Sequence, residues 1–218
     1  SLVRAIIMLG VNTVKNLALS TAVLDKFTSN KDFRALNMEG FWRHSLCAGV
    51  TAKLIAKKRG VDSKSLEEYF AAGLLHDIGK IPLNNALAEE YVRTMAVADR
   101  DRVSLHVAEK RTLELDHADA GALIAAAWHL DGAISDAARY HHAFDEYQGE
   151  NREVVLTVAV ANYYASREGI GFSGNLYPDK LPPSVFEELK FRKETLEELE
   201  GPVNAEIDKA KVFLRLAQ

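Results

Sequence analysis

The sequence is nearly free of cysteine. Cys47 is the only one among 218 residues, so no disulfide can form within the chain. Chains that rely on disulfides are typical of oxidising compartments, and we therefore expect a reducing, cytoplasmic setting. A single cysteine inside an apolar helical pattern is more typical of a small core residue than of a nucleophile.

The sequence also lacks a long apolar run and an excess of basic residues. Residues 154–161 form the nearest approach to a membrane span, which needs roughly 18 apolar residues, so no membrane association is expected. The start shows no signal-peptide pattern, and because it is not methionine the chain can be a fragment of a longer protein. A formal net charge of -4 disfavours a nucleic-acid binder. The basic cluster at Lys53 and residues 57–59 is interpreted as a solvated helix end.

Apolar residues recur at intervals of three to four throughout the chain, which predicts an all-α fold. We expect a bundle of roughly 8–11 helices with no substantial sheet. Asn37 is a predicted helix cap and Gly60 a predicted stop. Ser65–Glu68 has a capping-box pattern that opens a helix ending at Gly79 and Pro82. The other predicted helices cover residues 2–9, 11–27, 38–59, 85–98, 102–113, 118–129, 133–142, 153–167, 184–200 and 203–216.

Glycine and proline concentrate between residues 169 and 183, which predicts a loop. It divides a helical domain, residues 1–168, from a C-terminal appendage, residues 169–218. Gly201 and Pro202 are expected to separate two amphipathic helices of the appendage. These helices form either a hairpin packed on the main bundle or a linker towards a further domain.

Histidine and aspartate form the most informative pattern. His76 and Asp77 are adjacent at the end of an apolar helix, and His141 and His142 form a second doublet. Such doublets are costly to bury unless something pairs with them. Imidazole and carboxylate together suit first-row divalent cations. With two more histidines, His44 and His117, the pattern predicts a metal centre assembled from several helices.

The order of these residues resembles the HD superfamily of metal-dependent phosphohydrolases in its HD-GYP-like branch, and within it the HDOD domain. The segment Leu74–Ile81 resembles the central family motif, and residues 116–122 with 128–130 resemble the HDOD stretch around the third histidine. Residues 8–10 and 14–18 are similar to the segment that precedes the HD core. The likeness covers about residues 1–168.

The resemblance implies two metal sites that share Asp77, and hence a dinuclear centre. The first would use His44, His76 and Asp77, and the second Asp77 with the histidines His117, His141 and His142. The family places an acid where this chain has Asn162, and because an amide is a weaker ligand, we expect the first site to hold its cation less tightly. Iron or manganese is the favoured ion, with zinc, nickel, cobalt and magnesium as alternatives.

Two functions remain open at this point. The resemblance favours a bacterial signalling or regulatory module that binds a nucleotide or another phosphate-containing ligand and acts with other signalling proteins. The alternative is an active phosphohydrolase on a nucleotide, in which Asp77 and Lys80 are the catalytic residues. Asn162 and the missing Gly-Tyr-Pro signature after His142 favour regulation. His106 and His129 are interpreted as structural rather than as ligands.

Overall fold

The computed structural model describes residues 35–130 and 132–214, which form helices and connecting loops without a strand. This confirms the all-α prediction for the described part of the chain. The predicted helices over residues 2–9 and 11–27 lie outside it. The helices are α1 Met38–Lys58, α2 Leu66–Leu75, α3 Lys80–Ala86, α4 Ala88–Asp101, α5 Leu105–Leu113, α6 His117–Ala127, α7 Ala133–Tyr140, α8 Arg152–Arg167, α9 Pro183–Glu188 and α10 Glu200–Leu214, with short 3-10 helices at Phe144–Glu146 and Lys193–Leu199.

Helix α1 runs through the centre of the bundle and packs against α2 and α8. It begins where predicted, since the Asn37 side chain accepts a hydrogen bond from the Gly40 amide at 2.8 Å. Gly60 follows its end with φ +81°, a left-handed conformation that glycine adopts without strain. Cys47 of α1 is fully buried in the core, as predicted.

Two glycines bring α1 and α2 into backbone contact. A Cβ added to Gly49 would lie 2.9 Å from the Phe70 carbonyl oxygen, and one added to Gly73 would lie 2.8 Å from that of Ala48. Only glycine permits so close an approach without displacement of one helix. His44 precedes Gly49 on α1 and His76 follows Gly73, so both histidines lie on the same side of the crossing, which sets how closely they approach.

The predicted capping box at Ser65 does not form. Ser65 has helical backbone angles, φ -88° and ψ -13°, and makes no side-chain cap hydrogen bond. A cap residue needs extended backbone for its side chain to turn back on the helix. A capping box instead opens α6, where Asp116 and Asp119 each bond the other's backbone amide. It fixes the start of α6 at His117.

The end of α2 also differs from the prediction. The helix stops at Leu75, and the next four residues form a turn that leads into α3. Pro82 does not end a helix but lies in the first turn of α3, where its missing amide hydrogen costs nothing. His76 and Asp77 therefore stand on a turn between two helices.

The helices of the C-terminal segment have other bounds than predicted. The helix expected over residues 184–200 is divided into α9 and a 3-10 helix, and Gly201 and Pro202 lie in the first turn of α10 rather than between helices. Leu189, Leu196 and Val203 of this segment are buried in one hydrophobic cluster with residues of α1 and α8. The proposed domain boundary at residue 168 stays a prediction.

Two surface expectations can be compared with the structure. Lys57 and Lys58 at the end of α1 are exposed, as expected for a solvated helix end. Lys58 also donates to Glu198 at 2.7 Å, and the half-buried Lys53 pairs with Glu67. Among the described residues, no helix is long and apolar enough to cross a membrane.

Candidate metal centre

Asp77 lies at the middle of a fully buried cluster of histidines. The turn 76–79 that carries it is pressed against the start of α6, because a Cβ on Gly79 would come within 1.9 Å of the His117 carbonyl oxygen. This contact requires glycine at position 79. It brings the Asp77 carboxylate beside the first residue of α6. His44 comes from α1, His141 follows α7 and Asn162 lies on α8.

One oxygen of Asp77 faces two imidazoles. Its Oδ1 lies 3.2 Å from His117 Nε2 and 3.6 Å from His141 Nε2, and these two nitrogens are 3.3 Å apart. Ligand atoms around a tetrahedral cation with bonds of 2.0–2.1 Å are separated by about 3.3 Å. The three atoms therefore have the spacing of a coordination site.

In His141 and His76 the ring nitrogen Nδ1 is held by a backbone carbonyl oxygen. His141 Nδ1 lies 2.9 Å from the Ala137 carbonyl oxygen, and His76 Nδ1 lies 2.7 Å from that of Gly73. A carbonyl oxygen can only accept, so each Nδ1 carries the hydrogen, and the lone pair of a neutral ring is then on Nε2. This is the tautomer that ligates a metal through Nε2.

His117 is held by a buried carboxylate that sequence reasoning missed. Glu109 Oε2 lies 2.6 Å from His117 Nδ1 and also accepts from the His117 amide at 2.9 Å. Its other oxygen accepts from the Tyr91 hydroxyl at 2.6 Å. The neighbours of Glu109 in sequence are Lys110 and Arg111, which made it resemble a surface acid. The one sequence signal for its burial was its position in the helical repeat, next to the buried residues Leu105 and Ala108 of α5.

The other oxygen of Asp77 already has a cationic partner. Oδ2 accepts from the Lys80 ammonium at 2.7 Å, and both side chains are buried. His44 Nε2 and His76 Nε2 lie 3.7 and 3.4 Å from the same oxygen. A cation placed there would be repelled by the positive charge of Lys80. The two faces of Asp77, Oδ1 towards His117 and His141 and Oδ2 towards Lys80, therefore differ electrostatically.

Asn162 is in contact with this first set of residues. Its Oδ1 lies 3.0 Å from His44 Nε2, and its side chain is buried. The amide thus occupies the position where the family resemblance implies an acid. It supplies an oxygen but no charge.

Burial and neighbouring charges divide the histidines into two electrostatic types. Burial lowers the pKa of His44 to about 3 and that of His76 to about 4. Burial acts in the same direction on His117, but the Glu109 carboxylate outweighs it and raises the pKa to about 9. Burial would raise the pKa of Asp77, but His76 and Lys80 hold it well below its usual range. His44 and His76 are therefore neutral at pH 7, whereas His117 carries a proton that a cation would displace.

The remaining histidines lie towards the outside of the cluster. His142 is within ligand distance of His117 and His141, but its ring also stacks on that of His106, with centroids 4.0 Å apart. His129 is exposed just after α6, with φ +53°, and belongs to none of the possible ligand groups among the described residues. The structure brings six of the predicted ligands and Asn162 into one cluster; their assignment as ligands stays a prediction.

The donor set fits a divalent cation. Within the described residues, Asp77 Oδ1 and His76 Nε2 are buried without a hydrogen-bond partner. Orphaned buried polar atoms are rare because each is destabilising, by about 1–3 kcal/mol. A cation between Asp77, His117 and His141 would satisfy the carboxylate oxygen without moving the backbone. Imidazole and carboxylate are suitable ligands for the first-row metals.

A sequence model of the HDOD domain matches residues 1–144, and the chain therefore belongs to the HDOD domain family. Three solved structures share the fold. An HDOD domain protein of unknown function from Geobacter sulfurreducens is 27% identical with a TM-score of 0.68, and the match covers 97% of this chain and 72% of that one. A candidate signal transduction protein from Marinobacter aquaeolei has a TM-score of 0.77 at 18% identity, covering 96% and 46% of the two chains. A candidate phosphohydrolase from Shewanella amazonensis has a TM-score of 0.65 at 19% identity, covering 95% and 74%.

An uncharacterised protein from Treponema pallidum is 25% identical over 158 residues. The match covers 72% of this chain and 30% of that protein, so the chain spans about a third of this curated relative.

Proposed function

We propose that this chain is a regulatory module of bacterial signalling in which the Asp77 cluster binds a divalent cation and, beside it, a nucleotide or another phosphate-containing ligand. The observation that carries the proposal is the buried Asp77 Oδ1, which lacks a hydrogen bond in the described structure and lies 3.2 and 3.6 Å from two oriented imidazoles. Iron or manganese is the expected ion, and a cytoplasmic setting is proposed because the single cysteine cannot form a disulfide within the chain.

The difference between the two faces of Asp77 favours one tightly bound cation rather than two. Asp77 with His117 and His141 supplies three donors with an open fourth position. The other face has Lys80 against the carboxylate and the neutral Asn162 beside His44. A phosphate-containing ligand would bring the negative charge that this face lacks. The proposed role for bound ligand is to change the packing of helices that other signalling proteins contact.

An active phosphohydrolase is the second candidate, and the cavity beside the cluster favours it. A cavity of 180 Å³, lined by His141, Asn162 and His142 among others, leads from the surface to the cluster. A bound cation would neutralise charge on phosphoryl oxygens. Asp77 would hold that cation, and Lys80 would add positive charge beside it.

Metal titration into stripped protein tests the regulatory proposal. Manganese should bind with one tight step, and a second step should require inorganic phosphate. Asp77→Asn should abolish both steps, whereas Asp145→Asn, an exposed acid on a 3-10 helix, should change neither. Two equal, tight steps in the absence of phosphate would contradict the asymmetry, and full metal content in Asp77→Asn would exclude the site.

Asn162→Asp separates the two candidates. A dormant hydrolase should gain turnover of a nitrophenyl phosphodiester, because the new carboxylate completes the first set of ligands beside His44. A regulatory module should gain metal affinity without turnover. Measurable phosphodiester hydrolysis by the unaltered chain, lost in Asp77→Asn, would favour the hydrolase over the regulatory proposal.

A further inference from the structure

His106, His142 and Asp179 form a second group of ligands outside the Asp77 cluster. One donor atom from each lies within 4.8 Å of the other two. Both rings approach the same carboxylate oxygen, Asp179 Oδ2, at 3.3 Å from His106 Nδ1 and 3.8 Å from His142 Nδ1. The rings are nearly parallel, with an interplanar angle of 18°.

Hydrogen bonding does not account for this arrangement. His106 Nδ1 is buried and makes no hydrogen bond within the described residues, although a carboxylate oxygen is 3.3 Å away. Two imidazole nitrogens and a carboxylate oxygen, with no hydrogen bond from His106 Nδ1, form a donor set that a divalent cation can join. Tetrahedral zinc with nitrogen and oxygen ligands requires donor separations of about 3.3 Å. The two nitrogen–oxygen distances are 3.3 and 3.8 Å, and all three donor atoms lie within 4.8 Å of one another.

The three residues come from separate parts of the fold. His106 lies in the first turn of α5, His142 follows α7, and Asp179 belongs to the loop 169–182 between α8 and α9. The Asp179 side chain is 51% exposed, so solvent can reach the open coordination positions. Residues 178–181 of this loop line the 180 Å³ cavity, whose other walls include His141 and Asn162 of the Asp77 cluster.

We propose that His106, His142 and Asp179 bind a divalent cation of the zinc class, which fastens the loop 169–182 over the entrance to the Asp77 cluster. Two imidazoles and one carboxylate are a common zinc ligand set, and water would complete the coordination. Because His142 serves this outer site, the inner site retains Asp77, His117 and His141. The outer site does not depend on occupation of the inner one.

The rate of proteolysis in the loop 169–182 measures whether a bound cation holds the loop closed. Lys180 follows Asp179 and is exposed, so trypsin can cleave after it when the loop opens. A ligand that binds only the closed loop lowers the open population by the factor 1 + [L]/Kd. Zinc at about ten times its Kd should therefore slow cleavage after Lys180 roughly tenfold in metal-stripped full-length chain.

Two variants of the full chain test the ligands. His106→Phe keeps a ring against His142 but removes both nitrogens, and Asp179→Asn keeps the shape of the side chain but removes its charge. Each should lower the zinc stoichiometry by one and abolish the zinc-dependent protection, with unchanged helical circular dichroism. Asp145→Asn, the exposed control, should behave as the unaltered chain.

The outcomes separate this site from the inner one. Protection that persists in Asp77→Asn and disappears in His106→Phe supports the outer site even if the inner proposal fails. Cleavage of the unaltered chain at the same rate with and without zinc would overturn the inference, and that measurement requires no variant. Equal zinc stoichiometry in the unaltered chain and both variants would overturn it as well.

Discussion

Glu109 holds His117 at two points, since one carboxylate oxygen accepts from both the ring Nδ1 and the backbone amide of that residue. The first contact turns Nε2 towards Asp77, and the second fixes the start of α6. A carboxylate behind a ligating histidine orients the ring and increases its basicity. Glu109 is thus a positioning residue for the proposed inner site.

Glu109→Gln should weaken metal binding at the inner site about 10–100-fold, the usual effect of removing such a partner. The glutamine keeps the size of the side chain but loses the charge. Metal titration of stripped protein measures the change. Glu68→Gln, an exposed acid in the first turn of α2, serves as the control. Equal affinities for both variants would exclude a positioning role for Glu109.

Tyr91→Phe should destabilise the fold by about 1–2 kcal/mol, because the buried Glu109 loses the hydroxyl that donates to its Oε1. Urea denaturation monitored by circular dichroism measures the free energy of unfolding. Tyr177→Phe, at a partly exposed tyrosine, should leave this free energy unchanged within about 0.5 kcal/mol. A loss of stability for Tyr177→Phe as large as that for Tyr91→Phe would contradict the assignment.

The stability of the metal-stripped chain should depend on pH through His117. Its pKa in the fold is about 9, above the ordinary value of 6.5, so its contribution is fully present below pH 6.5 and is lost as the pH rises to 9. The loss is on the order of 3 kcal/mol. The lowered pKa values of His44 and His76 act oppositely, with stability lost as the pH falls from 6.5 towards 3–4.

Stability of the stripped chain should therefore be greatest near pH 6.5. Urea denaturation at a series of pH values checks this. Glu109→Gln should remove most of the fall above pH 6.5, because His117 then lacks the charge that raises its pKa. A flat profile between pH 6.5 and 9.5 in the unaltered chain would refute the prediction.

Gly79→Ala should disrupt the centre. The new methyl would lie 1.9 Å from the His117 carbonyl oxygen and 2.5 Å from the Gly121 amide, so the turn 76–79 must move away from α6. We expect a loss of at least about 3 kcal/mol and of inner-site metal binding. Gly201→Ala is the matched control, because nothing lies within 4 Å of its added Cβ. It should be neutral or stabilising by up to about 1 kcal/mol.

Helical periodicity and local capping signals account for the elements that could be predicted from the sequence. Asn37 predicted the start of α1, and the histidine doublets indicated where the cluster would form. Contacts between distant segments were beyond such reasoning. Ser65 has the residue pattern of a helix cap, but its backbone is helical rather than extended, so no cap forms. Glu109 and Asp179 lie near histidines only because α5 and the loop 169–182 fold back on the cluster.

Pro82 and Gly201 show a second reason for the errors. Both residue types are usual helix breakers, yet each lies in the first turn of a helix, where backbone amides have no intrahelical partner. The sequence indicates that such a residue interrupts regular structure. Whether it ends one helix or begins the next depends on the direction the chain takes afterwards.

The backbone contact at Gly49 and Gly73 has a consequence for how this fold can diversify. It sets the distance between α1 and α2 through two residues that are not themselves predicted ligands, although the Gly73 carbonyl oxygen also holds His76 Nδ1. A larger residue at either position would widen that gap and draw His44 away from the Asp77 carboxylate. Chains of the same architecture could thus alter the size of ion they accept, or lose the first site altogether, through a single methyl group within about one and a half turns of His44 or His76.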